Sequence, residues 1–164
     1  MTVATPIERA TIQDLPAIQR VADWSFQAAY AGLLDEQLLA AVVEEWYATE
    51  RLREQITDPD SLFLVARRGG RVRGYVNVEP DDPPETYYLS RLYVEPLLWG
   101  NGIGSELLAA VDRRLSAASL RLTVLAGNER AIGFYERQGF EYVTTETTTF
   151  GPTAVEEHVY RKPL

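Results

Sequence analysis

At 164 residues and 18.5 kDa the chain has the length of one domain, enough to bury about 70% of its unfolded surface without a disulfide or a metal. It has no cysteine and one histidine, His158, which excludes a thiol nucleophile, a redox switch and a zinc site built from Cys and His. A formal charge of −8 and a pI near 4.7 oppose binding to a nucleic-acid backbone and favour a cationic or amine partner.

The first ten residues, MTVATPIERA, carry neither a basic n-region nor an apolar h-region. No run approaches the roughly 18 apolar residues of a membrane span, so a cytoplasmic protein with no membrane partner is expected. Val3 to Ala10 reads as a first strand. Thr11 then caps a helix, with Asp14 three residues on and Ile12, Leu15, Ile18, Val21 and Ala22 at helical spacing. The apolar pattern continues through Trp24, Phe26 and Tyr30 until Gly32 interrupts it. Asp35 caps a second helix expected to reach about Ile56, and Asp58–Pro59 ends it. Trp24, Phe26, Tyr30 and Trp46 read as core aromatics on their spacing alone.

Leu62 to Ala66 and Val72 to Val78 alternate around Gly69–Gly70 as a tight β-hairpin. The loop EPDDPPET cannot continue a sheet, and Thr86 to Val94 supplies a fourth strand that Pro96 stops. Next come Gly100, Gly102 and Gly104, then Ile103, Leu107, Leu108, Val111 and Leu115 at helical spacing. Leu120 to Leu125 is a strand, Glu129 to Gln138 a short helix ended by Gly139, and Glu141 to Phe150 with Val155 to Arg161 a closing antiparallel pair. The order βααβββαβαββ describes one mixed α/β domain over residues 1–164, without repeats or linkers.

The strand, glycine loop and helix between Leu89 and Leu115 form a ready anion site. Glycines let the backbone take positive φ close to a bound group, and the first helical N–H groups lack intrahelical partners. A phosphate there gains roughly 0.3–1 kcal/mol from the helix dipole, up to about 2 where sheltered. The usual nucleotide loops do not fit. Ser105 follows Gly104 without the Lys of a phosphate-binding NTPase loop, and G-x-G-x-G late in the chain is not the G-x-G-x-x-G of a dinucleotide fold.

LYVEP followed by GNGIGSELL resembles the pyrophosphate loop of the GNAT superfamily of acyl-CoA-dependent N-acetyltransferases. In that family a strand ending V-x-P leads to [Q/R]-x-x-G-x-[G/A] and a helix. Gly102 and Gly104 take the two small positions, and Trp99 stands where the family has Gln or Arg. A second stretch, AGNERAIGFYERQGF, resembles the family's N-x-x-A-x-x-[F/Y]-Y-x-x-x-G-F through Asn128, Ala131, Phe134, Tyr135, Gly139 and Phe140. The two motifs stand in the family's order and together span Leu89 to Phe140.

The resemblance implies a mostly antiparallel sheet of about seven strands flanked by four helices, with acetyl-CoA as acyl donor and no metal. It implies cofactor contacts from Leu92, Tyr93 and Val94 on a splayed fourth strand, and from Trp99, Gly100, Asn101, Gly102, Ile103, Gly104 and Ser105 in the loop. Asn128, Ala131 and Tyr135 complete that set. Tyr135 is implied to lie near the thioester sulfur as the acid. The chemistry agrees, because aminolysis expels a thiolate that a phenol can protonate or hydrogen-bond. On its spacing alone Tyr135 also serves as packing for a short helix, and Asn128 as its N-cap.

Trp24 and Tyr30 fall in the segment that lines the acceptor pocket in small members of the family. For the base that takes a proton from the amine, Glu79, Tyr88, Ser90, His158 and water are all open. The expected reaction is direct acetyl transfer to a primary amine of a small molecule or peptide, with a homodimer left open. The alternative is a non-catalytic acyl-CoA-binding or regulatory module of the same fold.

Overall fold

A computed structural model describes residues 6–82, 85–115 and 119–164, apart from the Trp46 side chain. The expected start of the first strand, Val3 to Thr5, and the packing expected of Trp46 therefore lie outside the described residues. The chain runs β1 (Ile7–Arg9), α1 (Leu15–Tyr30), α2 (Glu36–Trp46), α3 (Thr49–Thr57), β2 (Leu62–Arg68), β3 (Arg71–Pro80) and β4 (Thr86–Val94). It continues through α4 (Ile103–Arg114), β5 (Ser119–Leu125), α5 (Glu129–Arg137), β6 (Glu141–Phe150) and β7 (Thr153–Pro163). Single 3-10 turns precede α1 and α4.

Local chemistry sets the boundaries. The Asp14 carboxylate accepts the Thr11 backbone N–H at 2.9 Å and Pro16 occupies the first turn of α1, so the helix starts there. Asp35 caps α2 by accepting from Gln37 N at 2.8 Å. The hairpin between β2 and β3 turns on Gly69 and Gly70, both at positive φ.

One expectation is corrected: the helix running from Asp35 to about Ile56 is two helices, so among the described residues five α-helices flank the sheet and not four. The backbone leaves helical dihedrals at Tyr47 (φ −114°, ψ 24°) and Ala48 (φ −56°, ψ 144°). The break carries the Tyr47 ring into the core, against Phe26 at 5.8 Å and Tyr93 at 5.9 Å between centroids. A straight helix would turn that ring out of the cluster. Burial of a large aromatic outweighs the few backbone bonds lost at the break.

The seven strands are ordered β1-β2-β3-β4-β5-β7-β6. All neighbours are antiparallel except β4 and β5. Two cores follow from the alternation of side chains along the strands. Leu64, Val76, Val78, Leu89, Leu120 and Leu122 pack under α4 and α5. Phe63, Val65, Tyr75 and Leu125 pack under α1 and α2 with Ile18, Val21 and Phe26.

The parallel pair is short. β4 and β5 meet only at Thr86↔Ser119, Tyr87↔Leu120 and Tyr88↔Arg121, and then part. The parting coincides with a bulge. Asn77 of β3 faces Arg91 while Val78 faces Leu89, so Ser90 is the extra residue on β4. Ser90 Oγ donates to the Asn77 carbonyl at 3.1 Å and accepts from Asn77 Nδ2 at 2.9 Å, which fixes the bulge. A bulge raises local twist, and β4 turns away from β5 just beyond it. The result is a gap in the sheet with β4 as one wall.

At the far end of β4, Glu95 is 2% exposed and ion-paired with Arg20 at 2.6 Å and Arg73 at 3.0 Å. Its carboxylate ties α1 and β3 to the point where the strand becomes the glycine loop.

Candidate active site

The gap opens onto a cleft of about 470 Å3, walled by β4 and β5 and by the N-terminal ends of α4 and α5. Which backbone groups face it follows from one hydrogen bond. Glu95 N donates to Arg73 O of β3 at 2.8 Å, so Val94, one residue earlier, points its N–H and C=O toward the edge that β5 has left. The Val94 carbonyl is taken there by Ser25 Oγ at 2.9 Å and Trp99 Nε1 at 2.8 Å. Its N–H faces the cleft, and by the same alternation so does that of Leu92.

Gly100 and Gly102 both have φ of +84°, and a Cβ on either would meet no protein atom within 4 Å. Their conformation is therefore required by the turn and not by packing. Gly102 is the N-cap of α4. The first N–H to find an intrahelical partner is that of Glu106, on Gly102 O at 3.0 Å, so those of Ile103, Gly104 and Ser105 stay open to an anion. Gly104 serves packing, because a Cβ there would sit 3.1 Å from Phe134 Cζ. It lets α4 and α5 close together beside the cleft.

From α5, Asn128 Oδ1 accepts Ala131 N at 3.3 Å, and Asn128 also lines the cleft, so the helix cap sits in the cleft wall. Tyr135 is 9% exposed and lines the cleft, its ring held edge-on by Phe134 at 5.4 Å and Phe140 at 5.6 Å. Burial drives its phenol above the ordinary range, so it is protonated at any physiological pH.

Of the residues singled out by sequence, the cleft brings together Tyr30, Leu92, Tyr93, Val94, Trp99 and Gly100, together with Gly102, Ile103, Gly104, Ser105, Asn128, Ala131 and Tyr135. Two lie elsewhere. Asn101 is exposed, with its backbone N–H on Leu98 O at 3.3 Å and its side chain on Leu98 O at 2.9 Å, so it shapes the loop and does not line the cleft. Trp24 sits on the outer face of α1, 39% exposed. Tyr93 lines the cleft, while its hydroxyl turns to that of Tyr47 at 2.5 Å.

Sequence reasoning passed over Arg130 and Arg137 of α5, which line the cleft. The Arg130 guanidinium lies 4.6 Å from the centre of the Trp99 ring. A cation thus reaches the loop from the next helix, beside the Trp that replaces the family's Gln or Arg. The signal available in the sequence was Arg two and nine residues after Asn128, about half a turn and two and a half turns along α5. Among the described residues no group of three or more His, Cys, Asp or Glu could hold a metal, and no helix is long and apolar enough to cross a membrane.

A β4 edge with inward N–H groups, a helix N-terminus beside it and a buried phenol opposite define an acyltransferase built on a split sheet. Residues 18–140 match the Acetyltransferase (GNAT) family, and the chain belongs to that family. It is 29% identical over 154 residues to an uncharacterized N-acetyltransferase of Mycobacterium tuberculosis, covering 92% of this chain and 98% of that one. It is 27% identical over 151 residues to a spermidine N(1)-acetyltransferase of Thermoplasma acidophilum, covering 88% and 92%. Among solved structures, the PaiA N-acetyltransferase of Thermoplasma acidophilum in complex with coenzyme A superposes with a TM-score of 0.86 at 25% identity, covering 99% of this chain and 100% of that one. The protein is thus an acetyltransferase of the GNAT fold.

Proposed function

We propose that residues 1–164 act as one N-acetyltransferase that moves an acetyl group from acetyl-CoA directly to a primary amine of a small molecule, in the cytoplasm. The observation that carries this reading is the parting of β4 and β5 beyond Tyr88, which leaves the Leu92 and Val94 backbone edge beside the N-terminus of α4 and opposite Tyr135. An amide-rich pantetheine arm pairs with such an edge as an added strand does. The open N–H groups of Ile103, Gly104 and Ser105, with Arg130 and Arg137 close by, suit the pyrophosphate.

In the reaction, the amine nitrogen attacks the thioester carbon and charge develops on the carbonyl oxygen. The Val94 N–H is the donor placed for that oxygen. As the C–S bond breaks, its electron pair goes to sulfur, and Tyr135 donates to the thiolate. The surplus proton of the new amide nitrogen then replaces the one passed to sulfur. The likeness to a spermidine acetyltransferase and the net charge of −8 both favour a cationic acceptor.

Thiol release from acetyl-CoA over a panel containing spermidine, single-amine analogues and a peptide with a free N-terminus tests the assignment. Amine-dependent release with an acetylated product is expected. Tight coenzyme A binding with no turnover on any amine would return the protein to the non-catalytic reading.

A further inference from the structure

The sheet face that carries α1 and α2 also carries Tyr88, Arg121, Thr123, Glu146 and Glu157. Pairing shows this: Tyr88 is opposite Arg121, Leu125 opposite Glu157, and Glu157 opposite Glu146, all at the parity of the α1 and α2 core. The Tyr88 hydroxyl lies 2.9 Å from Thr123 Oγ1, and Thr123 lies beside the Glu157 carboxylate, whose charged form it favours. A carboxylate only accepts, so with the Thr123 proton turned toward Glu157, Thr123 takes the bond from Tyr88. In that arrangement the chain runs in one direction. The Tyr88 oxygen keeps its lone pairs for an incoming N–H.

We propose that Tyr88, Thr123 and Glu157 form a proton wire that takes a proton from the ammonium group of the acceptor and delivers it to the Glu157 carboxylate. This rests on the reading of the protein as an amine acetyltransferase. The step balances. The ammonium N–H bond breaks and its proton goes to the Tyr88 oxygen; the Tyr88 proton goes to Thr123, and the Thr123 proton to Glu157. A neutral amine with a free electron pair and a neutral carboxyl remain. No net charge is created in the wall of the cleft.

Position favours this chain over the other groups. Tyr88 is the last β4 residue paired to β5, at the fork where the cleft begins, and Thr123 lines that cleft. The other sequence candidates are placed differently. Glu79 Oε1 accepts from Asn77 Nδ2 at 3.2 Å and Gln55 Nε2 at 3.5 Å, and Ser90 is committed to the bulge. His158 faces the α4 and α5 side, with Nδ1 2.8 Å from Thr145 Oγ1.

Glu157 is faced by Glu146 from β6, by Arg121 and Thr123 from β5 and by Tyr30 from α1. Burial, then Glu146, push its carboxyl above the usual range against the opposing pull of Thr123 and Arg121. A proton arriving from an ammonium thus meets a smaller mismatch. Arg121 is anchored by Asp81 at 2.8 Å and lies 4.7 Å from the centre of the Tyr88 ring, which holds the first member of the wire in place.

Glu157→Gln and Thr123→Val, measured with acetyl-CoA and spermidine, test the wire. Each is expected to lower kcat/KM at neutral pH by about 10²–10⁴-fold, and the double variant to fall no further, because the residues act as one unit. Each defect should shrink toward wild type as pH approaches the ammonium pKa of about 10, where the amine needs no base. Coenzyme A affinity should stay unchanged. A pH-independent defect, a Thr123→Val variant of normal activity, or multiplicative losses in the double variant would each overturn the wire. Wild-type enzyme that acetylates no amine in the panel would instead overturn the function on which it rests.

Discussion

Tyr135 combines two demands that pull on its hydroxyl in opposite ways. Burial against Phe134 and Phe140 keeps it protonated, yet it also makes the phenol a weaker acid than a free thiol of pKa about 8.5. In the proposed reaction full proton transfer to sulfur would therefore be uphill while the C–S bond breaks, and the phenol would act first as a hydrogen-bond donor to the growing charge. Loss of one such donor costs about 10²–10³ in rate. Tyr135→Phe should show that fall in kcat with unchanged melting temperature and acetyl-CoA affinity, and the wild-type rate should show no loss from phenol ionisation below about pH 10. A variant with normal turnover would leave Tyr135 as a wall of the pocket. Glu95 holds the end of β4. Its two arginines stay partly exposed and can rehydrate, so Glu95→Gln should cost roughly 1.5–3 kcal/mol in denaturant unfolding, the worth of charged hydrogen bonds, and not the larger loss of a fully buried pair. An unchanged unfolding midpoint would show that neither ion pair contributes.

The elements differ in how plainly the sequence announces them. The β2–β3 hairpin and the strand, loop and helix around Gly102 are visible because turn glycines, strand alternation and helical spacing agree locally. The break between α2 and α3 is not, because Tyr47 and Ala48 are acceptable helix residues and only the tertiary pull of Phe26 and Tyr93 on the Tyr47 ring decides the matter. The same holds for the wire. Tyr88, Thr123 and Glu157 lie on three strands and meet through register, and the Ser90 bulge that opens the sheet depends on Asn77, 13 residues away in sequence. Gly102 allows a test at this scale. With φ of +84° it would force a side chain into the left-handed region at a cost of about 1–3 kcal/mol, and open space around it means that no protein atom would be displaced. Gly102→Val should therefore fold with that loss of stability while coenzyme A binding weakens at least about tenfold, since the added side chain obstructs the approach of a pyrophosphate to this backbone. Calorimetric titration that finds wild-type affinity in the folded variant would leave the loop a purely structural turn.

Across the whole molecule, the ligand is expected to supply what the sheet lacks. β3 and β7 hold the outer sides of β4 and β5, but between Leu89 and Val94 the inner side of β4 has no strand partner among the described residues, and that stretch connects through Glu95 to the loop and α4. A molecule that spans both regions should stabilise the native state more than one that touches only the helix N-terminus. Coenzyme A at 100 times its Kd should add about 2.7 kcal/mol, which for a chain of this size raises the melting temperature by roughly 5–11 °C. ATP presents phosphates but no arm to lie along β4, and should leave the melting temperature nearly unchanged at the same concentration. Adding salt should reduce the coenzyme A shift only in part, because phosphate contacts near Arg130 and Arg137 are screened while bonds to the β4 edge are not. Equal shifts from ATP and coenzyme A, or a coenzyme A shift abolished by salt, would mean that the phosphates alone carry the binding and that the gap between β4 and β5 holds no arm.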